Sequence, residues 1–347
     1  MSRETSRKIS KLGFLMSLIV VLYHISYFKP ISVENVTSDI YIYFQVSKIY
    51  EVLGTWTMHY FITMTSFLLY YGMTKENVKK KLINRVHSLI IPYCIWNVLY
   101  YIFYLIIYKK EYLLSLKDFL FRFLFLPFDA PLWYISTIII LLLLVPIVVS
   151  VRDKKRLTCS VGIVLIIGTF ILKCVLVTPP KGHELERYFV RMLGYMPNYL
   201  IGMLLALYTP KIAEYSSTWA KWTARILLIT SLIVCFRVQI PWVLRCFISV
   251  CAPFLLWVST SKKAGEKRKT DDIYKASFFI YASHACLIYV VEHILEKWFY
   301  FEIRNGIAAV LLRLAGGFVI VCILIITRNL LRKISPKVLS VLTGNRA

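Results

Sequence analysis

Long apolar stretches alternate with short polar loops along almost the whole chain. Most of them have roughly the 18 to 25 residues that a helix needs to cross a bilayer, and lipid offers the backbone no other hydrogen-bond partners. About ten can be drawn, near residues 11–28, 55–73, 82–108, 131–151, 157–178, 188–208, 220–238, 241–260, 276–296 and 305–327. The pattern predicts an all-α fold, a polytopic transmembrane helical bundle of about ten helices.

Two segments fit this pattern less well than the rest. The segment 39–53 is amphipathic and too polar to span, so we expect it to lie at the membrane interface or to cap the bundle. The stretch 220–238 has only a short apolar core between two arginines. No segment of domain size looks water-soluble, which predicts one transmembrane domain over residues 1–347, with a cytoplasmic tail over about 328–347.

The chain is strongly basic, with 42 lysines and arginines against 18 aspartates and glutamates and a formal net charge of +24. These basic residues lie in short loops between apolar stretches, which argues against a nucleic-acid partner. If the N-terminus is cytoplasmic, alternating helices place the strongest clusters on one side, as the positive-inside rule requires. Those clusters are the N-terminal segment, "KENVKKKLINR", "RDKKR", "KKAGEKRKTDDIYK" and the C-terminal tail. Both termini are therefore predicted to be cytoplasmic.

The chain shows none of the sequence motifs of soluble catalytic domains. It has no P-loop, no dinucleotide-binding fingerprint and no H-E-x-x-H pair. Eight cysteines are scattered through apolar stretches without a C-x-x-C pair, so we interpret them as small buried side chains and expect no metal. Any chemistry must therefore come from polar residues in or near the bundle.

His24 is the one ionisable side chain in the apolar run "LGFLMSLIVVLYHISYF". It lies 13 residues beyond Lys11, which puts it about 20 Å into a hydrocarbon core about 30 Å thick. A polar group at that depth usually faces the protein interior or a water-filled cavity, and it is a functional candidate by default. A structural histidine that bonds a neighbouring helix is an equally open alternative.

Further polar residues interrupt other apolar stretches. His59 stands at the outer start of the second predicted helix, Arg191 in the sixth, His284 in the ninth and Arg313 in the tenth. Taken singly, each is better explained by helix pairing or by snorkelling to the interface than by catalysis. Together they predict a bundle with a polar interior.

Pro92 lies inside the long third stretch. It removes a backbone hydrogen bond and therefore predicts a kink in that helix. The kink can open a cavity on the cytoplasmic side beside Arg85 and His87, or it can leave these two as ordinary interfacial bases.

Six segments of the chain, taken in order, resemble the membrane-bound acyltransferase-3 family. The first ends in the Val-Val-x-x-His pattern of that family's first helix, and the last carries its Ser-Phe-x-hydrophobic-Tyr-x-x-His pattern. The six are "KLGFLMSLIVVLYHISYF", "HYFITMTSFLLYYG", "KKKLINRVHSLIIPYCIW", "APLWYISTIIILLLLVPIV", "LGYMPNYLIGMLLA" and "SFFIYASHACLIYVV". The resemblance covers nearly the whole chain.

The chain departs from the family's pattern at a few positions. The family commonly has an arginine eleven residues before the histidine and an aspartate three residues before that arginine. This chain has Gly13 and Ser10 there, and its second helix reads Thr65-Ser66 in place of Ser-Gly. A mechanism that needs the arginine would require Lys11 or Arg85 to replace it.

The resemblance implies transfer of an acyl group, often acetyl, from acyl-CoA to a sugar hydroxyl of a cell-surface or exported polysaccharide. His24 would be the general base, and a multi-pass protein of the plasma (inner) membrane would meet a glycan or lipid-linked glycan acceptor. Arg85 and Lys81 would hold coenzyme A phosphates. Trp133, Arg191 and His284 would contact the acceptor. The alternatives are a transporter or flippase for an anionic or lipid-linked substrate, and a catalytically inactive protein.

Overall fold

The computed structural model describes residues 1–25, 38–108, 114–176, 182–214, 217–237, 240–260, 271–298 and 305–345. All regular secondary structure within these ranges is helical. The α-helices are α1 (Arg3–His24), α2 (Ser38–Tyr70), α3 (Val78–Arg85), α4 (Ile91–Tyr108), α5 (Leu116–Phe125), α6 (Trp133–Leu141), α7 (Val145–Val151), α8 (Lys155–Val175), α9 (Glu184–Tyr208), α10 (Thr218–Arg237), α11 (Trp242–Ser259), α12 (Asp271–Tyr274), α13 (Ser277–Trp298), α14 (Gly306–Ile334) and α15 (Pro336–Thr343).

Eight helical segments of the described chain are long and apolar enough to cross a membrane. They are Val78–Ile107, Trp133–Val151, Lys155–Val175, Glu184–Tyr208, Thr218–Phe236, Trp242–Ser259, Ser277–Leu295 and Gly306–Ile334. The predicted all-α polytopic bundle is confirmed. The first two predicted spans, now α1 and α2, are not among the eight, and each begins with a polar stretch.

Helix α2 stands at the centre of the bundle and packs against α1, α9, α11 and α14. Its contact with α9 is close, because a Cβ on Gly202 would lie 2.4 Å from the Thr63 carbonyl oxygen. The Ser66 hydroxyl donates to the Tyr199 carbonyl at 2.6 Å across the same interface. Small residues and interhelical hydrogen bonds of this kind hold helices together where lipid supplies no hydrophobic driving force.

The amphipathic segment 39–53 is the first half of α2, which continues without a break into the second predicted span. Some of its polar side chains meet other helices, and others, among them Lys48 and Glu51, are exposed and line a cavity. Tyr43 packs against Ala309 of α14, and the Ser47 hydroxyl accepts from the Arg313 guanidinium at 3.2 Å. The bundle thus supplies partners for part of this polar helix half.

The third predicted span is interrupted where Pro92 predicts a kink. A π-helical turn, Val86–Ile90, joins α3 to α4 and ends just before Pro92, which has no N–H to continue the regular ladder. The interruption leaves Arg85 at the end of α3, half-buried against the bundle.

Several basic loops meet at one end of the bundle, which we call the inner end. Lys75, in the turn after α2, and Asp153, in the turn after α7, form an ion pair at 2.6 Å. The hydrogen bond from Lys75 and its charge hold the pKa of Asp153 below its usual range. At the same end Asp272 binds Arg332 and the buried Arg328. Burial alone would raise the pKa of Asp272, but these two guanidiniums lower it.

Residues from 328 onward continue the fold at the inner end. Helix α14 runs to Ile334, and α15 then packs against α4, where the Trp96 indole donates to the Leu342 carbonyl at 3.0 Å. Gly344 ends α15 with a positive φ of 61° and lies against the Ser88 backbone. A side chain at that position would be strained, so glycine is required there.

Candidate active site

His24 is the last residue of α1 and is half-buried. Its ring centroid lies 5.2 Å from that of His284 on α13, with the planes tilted by 50°. The ring of the neighbouring Tyr23 meets it edge-on at 5.0 Å. Packing of α1 against α13 therefore brings together two imidazoles that the sequence separates by most of the chain.

His284 is fully buried, and its hydrogen bonds fix its tautomer. Its Nδ1 lies 2.7 Å from the Tyr281 carbonyl oxygen. A carbonyl can only accept, so Nδ1 carries the proton and the neutral ring presents a lone pair at Nε2. Among the described residues, Nε2 has no hydrogen-bond partner. The pair thus contains a buried nitrogen that is available to accept a proton or a hydrogen bond.

Arg313 of α14 holds the end of α1 on which His24 stands. Its Nε donates to the Leu22 carbonyl at 2.9 Å and its Nη2 to the Tyr23 carbonyl at 3.1 Å. The guanidinium also lies over the Tyr50 ring, 4.7 Å from its centroid. The last carbonyls of a helix have no partner within that helix, and a cation there is favourable. Arg313 therefore fixes the backbone next to His24.

An inner cavity of about 300 Å³ opens at the basic end of the bundle. Ser10 and Gly13 line it, so the cavity passes the position where the family's arginine would stand. Arg85 and Lys275 also line it. Lys11 is exposed and is not among the lining residues, which leaves Arg85 as the better placed of the two suggested replacements.

A second, side cavity of about 440 Å³ adjoins the first. It is lined by Lys81 and Arg85, together with the backbone end of α15 at Gly344 and Asn345. Arg85 lines both cavities, and the Lys81 ammonium donates to the Tyr71 carbonyl. The two predicted cofactor-binding residues thus lie together at the inner end.

Five aromatic residues in two contacting groups form what we call the aromatic layer: Phe61, Tyr134 and Tyr281 in one group, and Trp133 with Tyr195 in the other. Trp133 and Tyr134 are neighbours in α6, which links the two groups. Three of them line the inner cavity and meet at ring centroid distances of 5.8 to 5.9 Å. Their hydroxyls are anchored, Tyr134 to Thr65 and Tyr281 to the Pro131 carbonyl. The Tyr281 ring also packs against His284, 6.1 Å between centroids, so the layer leads from the cavity to the histidine pair.

The opposite end of the bundle, the outer end, contains an outer cavity of about 710 Å³. Arg191 and Tyr195 line it, and the Arg191 guanidinium lies 5.1 Å from the centre of the Trp133 ring. Trp133 and Tyr195 pack at 5.2 Å, which joins this cavity to the aromatic layer. His59 also lines it, 3.1 Å from the Lys173 ammonium.

His59 is fully buried in the middle of α2, not at the outer start of a helix as predicted. The prediction was wrong because the second span was drawn from residue 55, whereas α2 begins at Ser38.

The sequence comparison identifies the family. The model of the family described as "Acyltransferase domain" matches residues 13–328, nearly the whole chain. The chain belongs to the acyltransferase-3 family. The search of curated proteins and the search of solved structures each gave no match. Membership makes the protein a membrane acyltransferase of the kind that transfers groups other than aminoacyl groups. It also implies that the protein uses an acyl donor and an acceptor substrate.

The structure arranges the six predicted site residues of this acyltransferase in three places. The histidine pair lies at the end of α1, the Trp133–Arg191 contact beside the outer cavity, and the pair Lys81 and Arg85 at the inner cavities. His24 is not among the residues that line the described cavities. It connects to the inner one through Tyr281 and His284.

Sequence reasoning did not single out two residues close to these sites. Lys275 lines the inner cavity, but its place in a lysine-rich loop suggests a topology signal. Asp129 is a buried carboxylate in the turn before Trp133. A single acid in the apolar run "LFLPFDAPLWYIS" was the available sign.

Proposed function

We propose that the protein transfers an acetyl or other acyl group from acyl-CoA to a sugar hydroxyl of a cell-surface or exported polysaccharide, with His24 as general base. The observation that carries the proposal is the His24–His284 pair, which stands behind an aromatic layer at the end of a cation-lined cavity. Family membership supports acyl transfer, and this geometry is compatible with acyl transfer at the histidine pair.

The donor would enter from the inner end. Arg85 and Lys81 in the side cavity suit the phosphates of coenzyme A, because guanidinium and ammonium groups are the usual phosphate partners. The acyl-bearing arm would extend toward Tyr281 through the inner cavity, whose lining is mostly apolar apart from Arg85 and Lys275. The predicted location in the plasma (inner) membrane puts this end in the cytoplasm, where acyl-CoA is present.

The chemistry requires a base that removes one proton from a hydroxyl, since a neutral alcohol is a poor nucleophile. His24 takes that proton as the sugar oxygen attacks the thioester carbonyl carbon. The C–O bond forms, the C–S bond breaks, and the His24 imidazolium returns the proton to the departing thiolate. The Nε2 lone pair of His284 would accept a hydrogen bond from protonated His24 and orient it, as the third group of a triad orients its base.

The acceptor would reach His24 from the outer end. Trp133 and Arg191 would form the wall that guides it, with His284 completing the acceptor side of the pair. A glycan or a lipid-linked glycan fits an acceptor that approaches through a polar, cation-lined cavity at that end.

The test compares His24→Ala with His293→Ala, a matched change of an exposed histidine on the helix that carries His284. Surface glycans from cells that express each variant are analysed by mass spectrometry, with membrane levels of the protein measured in parallel. We expect the acyl mass increment with the wild type and with His293→Ala, and its loss with His24→Ala. Acylation that survives His24→Ala undiminished contradicts the base assignment. No glycan mass change with the wild type contradicts the acceptor class.

A further inference from the structure

The outer cavity carries far more positive than negative charge. Among the described residues that line it, one is a carboxylate, Glu51, and five are cationic: Lys48, Lys173, Arg187, Arg191 and Arg245. Within the described chain, the only ion pair that these five form is Arg187 with Glu184, at 3.2 Å, and Glu184 is not a lining residue. A concave site with this imbalance concentrates anions.

A hydrogen-bond chain from Asn198 through His59 positions the Lys173 ammonium beside the cavity without neutralising its charge. The Asn198 amide nitrogen donates to Thr63 Oγ1 and to the Val250 carbonyl, both at 3.1 Å, so its oxygen must accept from His59 Nδ1 at 2.6 Å. His59 Nε2 is then unprotonated and accepts a hydrogen bond from the Lys173 ammonium at 3.1 Å. A neutral imidazole positions the ammonium but leaves its positive charge for a ligand.

Arg187 has an unused donor at the same cavity. Its Nη1 is engaged by Glu184, whereas its Nε is buried and has no hydrogen-bond partner among the described residues. A buried donor without a partner is costly, and an oxyanion in the cavity would satisfy it. On another wall Arg245 donates from Nη2 to the Cys235 carbonyl at 3.4 Å, a long contact that leaves most of its donors available.

We infer that the outer cavity is a binding site for phosphate groups carried by the acceptor. A single carboxylate would offset only one of several charges, so a ligand with two or more negative charges, such as a pyrophosphate or a run of phosphodiesters, fits better. The volume, about 710 Å³, is in the range of sites that take whole small molecules. This inference rests on the proposed function, because it names the chemistry of that acceptor.

The position of the site gives the phosphate a role in the reaction. Arg191 joins the cavity to Trp133, and Tyr195 joins it to the aromatic layer. Phosphate held by Arg187, Arg245 and Lys173 would therefore anchor the acceptor on the outer side of that layer, with a sugar hydroxyl extending toward the histidine pair. The phosphate-binding groups are positioning residues and take no part in proton transfer.

The experiment measures equilibrium binding of radiolabelled inorganic pyrophosphate to the full-length protein in phosphatidylcholine nanodiscs, with no acyl donor present. The double variant Arg187→Gln/Arg245→Gln leaves the Arg191–Trp133 contact untouched. Its matched control is Lys117→Gln/Arg122→Gln, which removes two exposed charges from α5, outside the cavity. We expect saturable binding that weakens at least about tenfold in the first double variant and stays unchanged in the control.

Two further arms identify where the phosphate binds and where it comes from. Arg85→Gln removes a cation from the inner cavities, and it should leave the outer-cavity binding in place. Replacing about a third of the lipid with phosphatidylglycerol tests the source. Weaker pyrophosphate binding in those nanodiscs would assign the site to a lipid headgroup and would overturn its assignment to the acceptor, and unchanged binding is the result that the inference expects.

Three other results would overturn the inference: no saturable binding, equal weakening by the control double variant, or binding that Arg85→Gln alone abolishes. Because no acyl transfer is measured, these results are independent of the His24→Ala outcome. Acylation that persists in His24→Ala together with intact phosphate binding would reject the base assignment and keep the site.

Discussion

Two fully buried histidines of this acyltransferase share one tautomer and differ at a single nitrogen. In both His59 and His284 the Nδ1–H group donates to a protein oxygen, at 2.6 and 2.7 Å. The Nε2 of His59 then accepts from Lys173, whereas the Nε2 of His284 has no hydrogen-bond partner in the described chain and its ring faces that of His24.

The state of Nε2 suggests different roles for the two histidines, one structural and one in the proposed reaction. A buried histidine with both nitrogens occupied gains stability from each bond and cannot exchange a proton without breaking one. A buried histidine with one unoccupied nitrogen costs stability, and a fold keeps such a group where a reaction uses it. By this criterion we expect His284 to take part in the proposed reaction, and His59 to belong to the wall of a binding cavity.

The largest expected effect comes from removing the unoccupied lone pair. His284→Asn keeps a donor for the Tyr281 carbonyl but presents no ring nitrogen to His24. We expect kcat for acyl transfer to fall about 100-fold and its pH profile to shift, because protonated His24 loses its partner. Steady-state rates across pH, with thermal unfolding as a check of folding, measure this. A variant with the wild-type pH profile would place His284 in the scaffold class.

A smaller effect is expected when the support of His24 is loosened. Arg313→Gln removes the donors to the Leu22 and Tyr23 carbonyls, so the end of α1 gains freedom. We expect kcat to drop about tenfold with little change in KM for the donor, since misplacement of a catalytic group slows the chemical step. Arg313→Lys keeps the positive charge but cannot donate to both carbonyls in the planar geometry of a guanidinium. It should therefore recover only part of the rate. An effect confined to KM would contradict the positioning role.

His59 should respond in stability rather than in proton transfer. His59→Ala leaves Asn198 Oδ1 and the Lys173 ammonium without their partner, at a cost of about 1–3 kcal/mol in unfolding free energy. The pH profile of kcat should keep its wild-type shape. Differential scanning fluorimetry in detergent measures the loss of stability as a lower unfolding temperature. Rate measurements across pH give the profile of kcat. A shifted pH profile without loss of stability would remove the distinction between the two histidines.

The smallest expected effect is on thermal stability, and it comes from Asp272, which lies at the inner end away from both histidines. Because Arg332 and Arg328 lower the pKa of Asp272, its stabilising effect is complete above the ordinary carboxyl range and is lost as pH falls through the lowered pKa. Asp272→Asn should reduce the unfolding temperature near neutral pH and flatten its decline in acid, modestly, since the carboxylate is partly exposed. Unfolding scans between acid and neutral pH test this. An unchanged acid decline would show that other carboxylates control it.

Hydrophobic periodicity predicted the fold class well, because a lipid-facing helix must be apolar at nearly every turn. It failed at the first half of α2, where Ser47 and its polar neighbours face protein and cavity instead of lipid. Local composition cannot distinguish those two surroundings. The same failure displaced His59 from the middle of a helix to its end.

The candidate site was predictable one residue at a time and not as an arrangement. His24 and His284 are each conspicuous as imidazoles in apolar runs, but their contact depends on how α1 packs against α13. Lys173 lies in the last turn of α8, and only the fold places it against His59. Long-range packing of this kind leaves no mark in a single sequence.

The aromatic layer has a consequence for the cell as well as for the substrate. Cavities that enter a membrane protein from both faces threaten to become a conduit for protons and ions. Here the rings of Phe61, Tyr134 and Tyr281 pack within about 6 Å of one another beside the inner cavity, and Trp133 packs on Tyr195 beside the outer one. The hydroxyls of Tyr134 and Tyr281 are bonded to protein groups. We therefore expect these bulky, bonded side chains to limit leakage of protons and ions between the two cavities.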